Sequence, residues 1–301
     1  MIGFIGIGNM GWPMASNLIR GGSKVVVHDI DQDLAGRFCS EHDNAVLASD
    51  LKELGSAADV VITMLPTGHI VRRVMLEEPD ALAQSLPSGA LLIDMSSSDP
   101  IGSRELGKAL DEYDIQFVDA PVSGGVPGAR DATLAIMMGS DTREALERAR
   151  PILKLLGNRL FETGPLGSGH AMKSLNNFVA GTGFAAVSEA LLIGRRFGLD
   201  PAVMVEILNA STGRSFTTER TIGPEVVNRA FASGFALALL AKDVKIAADL
   251  AGGLGLKMPF LQLTSEQFLA ASDSLGPDRD FTETFLYWES RVSGGSDGTS
   301  E

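Results

Sequence analysis

Lys173 and Asn177 stand four residues apart in the run Gly167-Ser-Gly-His-Ala-Met-Lys173-Ser-Leu-Asn176-Asn177. On a helix that spacing stacks the two side chains one turn apart, so an amine and an amide would face the same small molecule. The amine can take or give a proton, and the amide can hydrogen-bond a reacting oxygen. A helical lysine by itself is usually a solvated charge. Its chemistry depends on what the rest of the chain brings to that face.

Gly6-Ile7-Gly8-Asn9-Met10-Gly11 follows a first apolar run and opens a helix-like segment. In that context the first glycine permits a tight turn, the second lets the backbone approach a pyrophosphate, and the third lets the helix pack closely on the strand. Amides at the helix N-terminus then face the anion. Asp29 ends a second strand-like run eighteen residues beyond Gly11, about where an acidic side chain meets an adenosine ribose. A carboxylate there accepts from a free 2′-hydroxyl and repels a 2′-phosphate. Asp31 and Asp33 add to the repulsion and no arginine follows Asp29 directly, so NAD is expected over NADP, although Arg37 keeps NADP open. The competing role for Asp29 is to cap the next helix.

Two further strand ends, Met64-Leu65-Pro66-Thr67 and Asp94-Met95-Ser96-Ser97-Ser98, fall at the crevice where a dinucleotide lies in this topology. Met64, Leu65 and Pro66 would pass along the cofactor through backbone and apolar contact. Ser96 and Ser97 would reach its nicotinamide side, though serine-rich strand ends also cap helices. In Asp119-Ala-Pro121-Val-Ser123-Gly124-Gly125, the glycines can turn successive amides toward a carboxylate and the Ser123 hydroxyl can add a third donor. A tight turn would explain the glycines but not the serine beside them.

The elements that must position these residues change character along the chain. Up to about residue 163, apolar runs at 2–7, 24–28, 60–64, 90–94 and 115–119 read as strands, and 51–57 and 103–112 as amphipathic helices between them. That alternation is the pattern of a parallel sheet wrapped by helices. Runs at 134–138 and 159–162 read as strands at the sheet's edge. Beyond Gly167 the pattern is helical, with helices expected over 170–197, 202–208, 237–251 and 258–272. The expected architecture is a Rossmann-type, doubly wound α/β domain over 1–165, an all-α domain over 166–292, and a Gly/Ser-rich disordered tail over 293–301.

Bulk properties exclude several classes of protein. The 301 residues are 45% hydrophobic, enough for a large core and about two domains. A net charge of −13 without a Lys/Arg-rich run argues against nucleic acid as a partner. The single cysteine, Cys39, rules out an internal disulfide framework and reads as an ordinary helix residue. The apolar runs, such as 235–241, fall short of the roughly 20 residues of a spanning helix, so no membrane is expected. With no basic leader ahead of Met1-Ile-Gly-Phe-Ile-Gly, the expected location is the cytoplasm. His28, His42, His69 and His170 form no spaced ligand set, and no catalytic metal is expected. Phe231, Phe235 and Phe281 read as core.

Four motifs in order give the chain a resemblance to the β-hydroxyacid dehydrogenase family, which includes 3-hydroxyisobutyrate dehydrogenases and tartronate semialdehyde reductases. They are the glycine fingerprint continuing as Trp12-Pro13-Met14-Ala15-Ser16-Asn17-Leu18, the turn from Asp119 to Gly125, the segment bearing Lys173 and Asn177, and Lys242-Asp243. The resemblance spans most of the chain. It implies that Ser123, Gly124 and Gly125 bind the substrate carboxylate, that Lys173 is catalytic, that Asn177 orients the substrate and that Lys242 lies against the cofactor. It also implies a homodimer or homotetramer, because relatives pair through the helical domain.

Oxidising a β-hydroxy acid sends a hydride to the nicotinamide while a base removes the hydroxyl proton, a role open to a neutral Lys173. A free lysine titrates near 10.4, so burial or a neighbouring cation, such as Lys242 or the oxidised nicotinamide, must favour the neutral form. Read without the resemblance, Lys242 and Asp243 are a pair on a helix surface. Imine reductases share the architecture, as do non-catalytic cofactor-binding modules, but both usually lack the lysine. Ser211 to Phe216, with Arg214, and the stretch from Asp280 to Thr284 are candidate pocket walls.

Overall fold

The computed structural model describes residues 1–293 of the 301. The tail expected over 293–301 lies outside them, save for Ser293, which closes the last helix. The strands are β1 (Ile2–Ile5), β2 (Val25–His28), β3 (Ala45–Leu47), β4 (Val60–Thr63), β5 (Leu91–Asp94), β6 (Gln116–Asp119), β7 (Val122–Ser123), β8 (Ala135–Gly139) and β9 (Arg159–Gly164). They form one sheet in the order β3-β2-β1-β4-β5-β6-β8-β7, with β9 on β8. The strands from β3 across to β6 pair in parallel, while β8 pairs antiparallel to β6 and β7. The order reverses between β1 and β4, which places a ligand crevice at their carboxyl ends.

Fully apolar strands follow from burial on both faces. Phe4, Val27 and Ile62 point into one core cluster and Ile5, Val26 and Val61 into the other, the alternation that a pleated strand imposes. β1 ends at Ile5 rather than residue 7, because Gly6 takes φ +96 and turns the chain out of the sheet. β3 was not expected from the sequence. It is three residues long with no fully buried side chain, so no apolar run marks it.

Helices α1 (Gly11–Arg20), α2 (Gln32–Glu41), α3 (Leu51–Ala57), α4 (Gly68–Arg72), α5 (Pro100–Leu110), α6 (Gly125–Arg130) and α7 (Arg143–Leu153) join the strands. Asp31, Asp50, Thr67, Asp99 and Thr142 cap α2, α3, α4, α5 and α7, each side chain accepting a backbone N–H of the first turn. Helix α8 (Ser168–Phe197) then begins at Gly167, whose backbone takes φ +85. Its first turn is held from the sheet: Asp119, the last residue of β6, accepts the N–H of Gly167 at 2.7 Å and of His170 at 2.8 Å.

The chain divides into two compact units, 1–173 and from Ser174 onward. The second contains the rest of α8, α9 (Pro201–Ala210), a π-helical segment (Thr218–Val227), α10 (Leu237–Gly253), α11 (Pro259–Leu275) and α12 (Thr284–Ser293). The π-helical segment, which carries Gly223 and Pro224, was not among the helices expected from the sequence. No strand occurs among the described residues of this unit. Its core gathers Phe184, Leu191, Val244, Phe268, Phe285 and Trp288, with Phe231, Phe235 and Phe281 packed against it.

By length and composition α8 is apolar enough to cross a membrane, which the shorter runs considered in the sequence did not show. Its inward residues Phe184, Leu191 and Leu192 belong to the core of the helical unit.

The seating of α8 leaves no room for a side chain beside Asp119. A carbon added at Gly169 would run into the Met137 carbonyl oxygen and come within 2.8 Å of Asp119 Oδ2. Gly169→Ala should therefore cost about 1–3 kcal/mol. Gly252→Ala, in α10 with nothing within 4 Å of the added carbon, should instead gain up to about 1 kcal/mol. Urea unfolding midpoints of the two variants check both signs.

Candidate active site

The glycines after β1 differ in what confines them. A carbon on Gly6 would strike the Met64 carbonyl oxygen, and one on Gly11 the Gly6 carbonyl oxygen, so both positions are closed by backbone. A carbon on Gly8 would meet nothing within 4 Å. Gly8 borders open space, as expected of a residue that lets an anion approach the amides. Ile7, Gly8 and Asn9 line a cleft of about 500 Å³ that also holds Arg20 and Arg130. Met10 sits half-buried at the N-cap of α1.

Asp29 is tied to this loop. Its Oδ2 accepts the Ile7 N–H at 2.6 Å and its Oδ1 the Asp31 N–H at 2.9 Å. Asp31, not Asp29, caps α2 by accepting the Leu34 N–H at 2.9 Å. A carboxylate has about four acceptor positions, so Asp29 keeps capacity for ribose hydroxyls.

Across the crevice Met64 and Leu65 are half-buried and Pro66 is exposed after β4. Ser96 is fully buried, and its hydroxyl oxygen accepts the Leu65 N–H at 2.9 Å. It braces that wall from behind, while Ser97 beside it is half-buried.

Ser123 ends β7, and Gly124 (φ +136) and Gly125 (φ +60) turn out of it on exposed backbone. Left-handed glycine angles present successive N–H groups on one side, the arrangement a carboxylate needs.

Beneath the crevice lies a buried polar cluster that the sequence did not disclose. Thr63, Asp94 and Asp119 end β4, β5 and β6 in register. Asp94 and Asp119 are 1% and 0% exposed. Asp94 accepts from Thr63 Oγ1 at 2.9 Å, the Ser96 N–H at 3.0 Å and Ser98 Oγ at 2.7 Å. Burial pushes the Asp119 carboxyl above the usual carboxylate range, with Asp94 adding to the rise; His170 and the two α8 amides oppose it.

Lys173 lies half-buried on α8, and the helix runs unbroken to Asn177, so the two residues are one turn apart. In the helical unit Asn177 is buried and donates Nδ2 to Asp243 Oδ2 at 2.7 Å. Its Oδ1 accepts from Asn176 Nδ2 at 3.2 Å. Asp243 is 3% exposed, and Lys242 Nζ lies 2.9 Å from its Oδ1 in ion contact without hydrogen-bond alignment.

The surface-pair alternative for Lys242 and Asp243 is therefore corrected: the carboxylate points inward. Helical periodicity carried the signal, since Asp243 shares a face with Leu240 and Ala247, both buried.

Arg214 pairs with Glu219 at 2.7 Å on the surface. Asp280 spends its carboxylate on Ser233, Gly234 and Thr282. Burial pushes the Cys39 thiol up, away from nucleophile character. Among the described residues no group of three or more His, Cys, Asp or Glu side chains is arranged to hold a metal.

Comparison with known proteins gives this geometry its family. A profile described as the NAD binding domain of 6-phosphogluconate dehydrogenase matches residues 1–164. One described as NAD-binding of NADP-dependent 3-hydroxyisobutyrate dehydrogenase matches 167–288. The chain is 33% identical to the 2-(hydroxymethyl)glutarate dehydrogenase of Eubacterium barkeri, with 98% of each chain covered. It is 34% identical to the mitochondrial 3-hydroxyisobutyrate dehydrogenase of Drosophila melanogaster, over 94% of this chain and 88% of that one. The structure of Mycobacterium tuberculosis 3-hydroxyisobutyrate dehydrogenase with L-serine superposes with TM-score 0.87 at 31% identity, covering 95% of this chain and 98% of that one. The chain belongs to the β-hydroxyacid dehydrogenase family: it is an oxidoreductase with a Rossmann domain for a nicotinamide cofactor.

The contrast between Gly8 and Gly11 separates binding from folding. Gly8→Ala should keep the wild-type melting temperature while weakening NAD binding at least ~10-fold, because its methyl projects only into the space the pyrophosphate needs. Gly11→Ala should lower the melting temperature itself. Isothermal titration with NAD and differential scanning calorimetry on both variants distinguish the two effects.

Proposed function

We propose that this chain transfers a hydride between NAD and a small β-hydroxy acid or its semialdehyde, with Lys173 as general acid and base. The observation that carries the reading is a half-buried Lys173 four residues before Asn177 on α8, with the Asn177 amide held by Asp243. Related dehydrogenases named for 3-hydroxyisobutyrate and 2-(hydroxymethyl)glutarate support a substrate with a hydroxyl one carbon removed from the α-position of a carboxylate.

The bound nicotinamide supplies the hydride acceptor. The Ser123 hydroxyl and the Gly124 and Gly125 amides hold the substrate carboxylate. Lys173, neutral, removes the hydroxyl proton as the hydride leaves carbon, and returns a proton to the oxygen in the reverse direction. Asn177 hydrogen-bonds that oxygen and fixes the approach of its carbon. Asp29, anchored on Ile7 and flanked by Asp31, favours the free ribose of NAD over the 2′-phosphate of NADP.

A screen of small hydroxy acids and semialdehydes against both cofactors, followed at the reduced nicotinamide's absorbance, should find turnover with NAD preferred. Lys173→Ala should lower kcat by about 100-fold or more on the best substrate, and wild-type oxidation should rise with pH as the lysine sheds its proton. Undiminished turnover in the variant, or equal efficiency with NADP, would remove the lysine or the Asp29 part of the reading respectively.

The helical unit supports a second copy of this chain as partner. Val179, Ile193 and Phe197 on α8, Ile207 on α9 and Phe260 on α11 are between 59% and 85% exposed, more large apolar surface than isolated helices leave in water. Light scattering at assay concentration should give a dimer or tetramer mass; a monomer mass contradicts the assignment.

A further inference from the structure

His170 is the one member of the buried cluster that belongs to the helix bearing Lys173, and it sits one turn before that lysine. Its imidazole is 0% exposed. Nδ1 is 2.8 Å from Ser103 Oγ on α5 and 3.8 Å from Asp119 Oδ2, while its backbone N–H is held by the same Asp119 oxygen. Nε2 is buried without a hydrogen bond, and its nearest acceptor is Asp94 Oδ2 at 3.6 Å.

Asp94 in turn receives the Ser96 N–H, and the Ser96 hydroxyl receives the N–H of Leu65 on the crevice wall. Hydrogen bonds therefore run from the wall at Leu65 through Ser96 to Asp94, whose Oδ2 lies 3.6 Å from the ring of His170, one helical turn before Lys173. Arg104 on α5 spends its Nε on the Leu166 carbonyl at 2.8 Å, and the histidine ring is the group placed between the two aspartates.

An apolar residue would fill the same volume at less cost, since a ring nitrogen buried without a partner loses the hydrogen bond that water gave it. The histidine has a use beyond packing if its charge and geometry set those of its neighbour.

We propose that His170 is a positioning residue for Lys173, its imidazole tying the first turn of the lysine-bearing helix to Ser103 of α5 and filling the space between Asp94 and Asp119 at the ends of β5 and β6, so that the amine one turn on is held in place. This rests on the dehydrogenase reading for its kinetic consequence but not for its structural one. The groups facing the ring are Asp94 from β5, Asp119 from β6 and Ser103 from α5, with Lys173 one turn on along its own helix. Loss of the imidazole leaves the two aspartates facing each other across the turn and lets that turn shift.

Two measurements on His170→Ala and His170→Asn decide the matter. Steady-state kinetics should show kcat for hydroxy-acid oxidation falling by on the order of 10- to 100-fold, with the KM for NAD within about twofold and the kcat–pH profile displaced. Carbon-13 NMR of the reductively methylated protein, with the Lys173 resonance assigned by Lys173→Arg, should show the Lys173 titration midpoint moving between wild type and variant.

A lowered melting temperature with unchanged pH profile and unchanged Lys173 midpoint overturns the proposal and leaves His170 a packing residue. If the wild type turns over no hydroxy acid, the dehydrogenase reading fails while the NMR midpoint still decides this one. Should neither histidine variant fold, Ser103→Ala, which removes the Nδ1 partner together with the Ser103 bond to the Asp99 carbonyl within α5, is read by the same two measurements.

Discussion

The seating of α8 on the carboxylate of Asp119 is the contact on which the first unit's chemistry depends. One buried side chain at the end of a central strand accepts two amides of the helix that carries Lys173. Charge-assisted bonds of this kind contribute about 1.5–3 kcal/mol each, and they offset a desolvation cost of several kcal/mol for a carboxylate with no water around it. The balance is close, which is why the Asp119 carboxyl is pushed up despite its donors. The contact also demands glycine where the chains meet: an added carbon at Gly139 would collide with Asp119, one at Gly169 with the Met137 carbonyl and Asp119, and one at Gly167 with the Pro100 carbonyl of α5.

The same economy of space shapes the cofactor loop. Gly6 and Gly11 are glycines because backbone lies against them, and Gly8 is a glycine beside open space. Asp29 serves that loop as scaffold, its carboxylate accepting and orienting the Ile7 amide. A residue that looks like a recognition group in the sequence is thus also part of the scaffold. In the helical unit the pattern recurs with Asp243, a buried carboxylate whose visible task is to hold the amide of Asn177.

Much of this was legible in the residues. Glycine spacing marked the loop because only glycine tolerates the angles and approaches found there, and apolar runs marked β1, β2, β4, β5 and β6 because burial on both faces excludes polar residues. The spacing of Lys173 and Asn177 was readable because a helix repeats every 3.6 residues. β3 and the π-helical segment were not legible: one lies on a sheet edge with little burial to write into its composition, and the other carries Gly223 and Pro224, which signal a loop. The sequence offered Ser96 as a group reaching the nicotinamide side or as a turn residue; it did not show that its buried hydroxyl accepts the Leu65 N–H, since side-chain direction at a strand end depends on the loop packed beside it.

The sequence by itself determined the class of fold, the glycine loop after β1, the glycine turn at Ser123 to Gly125 and the one-turn spacing of Lys173 and Asn177, because each is encoded within a few turns of chain by local geometry. Only the tertiary structure decided that Asp94, Asp119 and His170 meet, since they come from β5, β6 and α8 and no local spacing relates them. It likewise decided that Asp243 points inward to Asn177, 66 positions away. Buried polar groups must find partners wherever the fold brings them, and a chain read in one dimension does not show which distant groups those are.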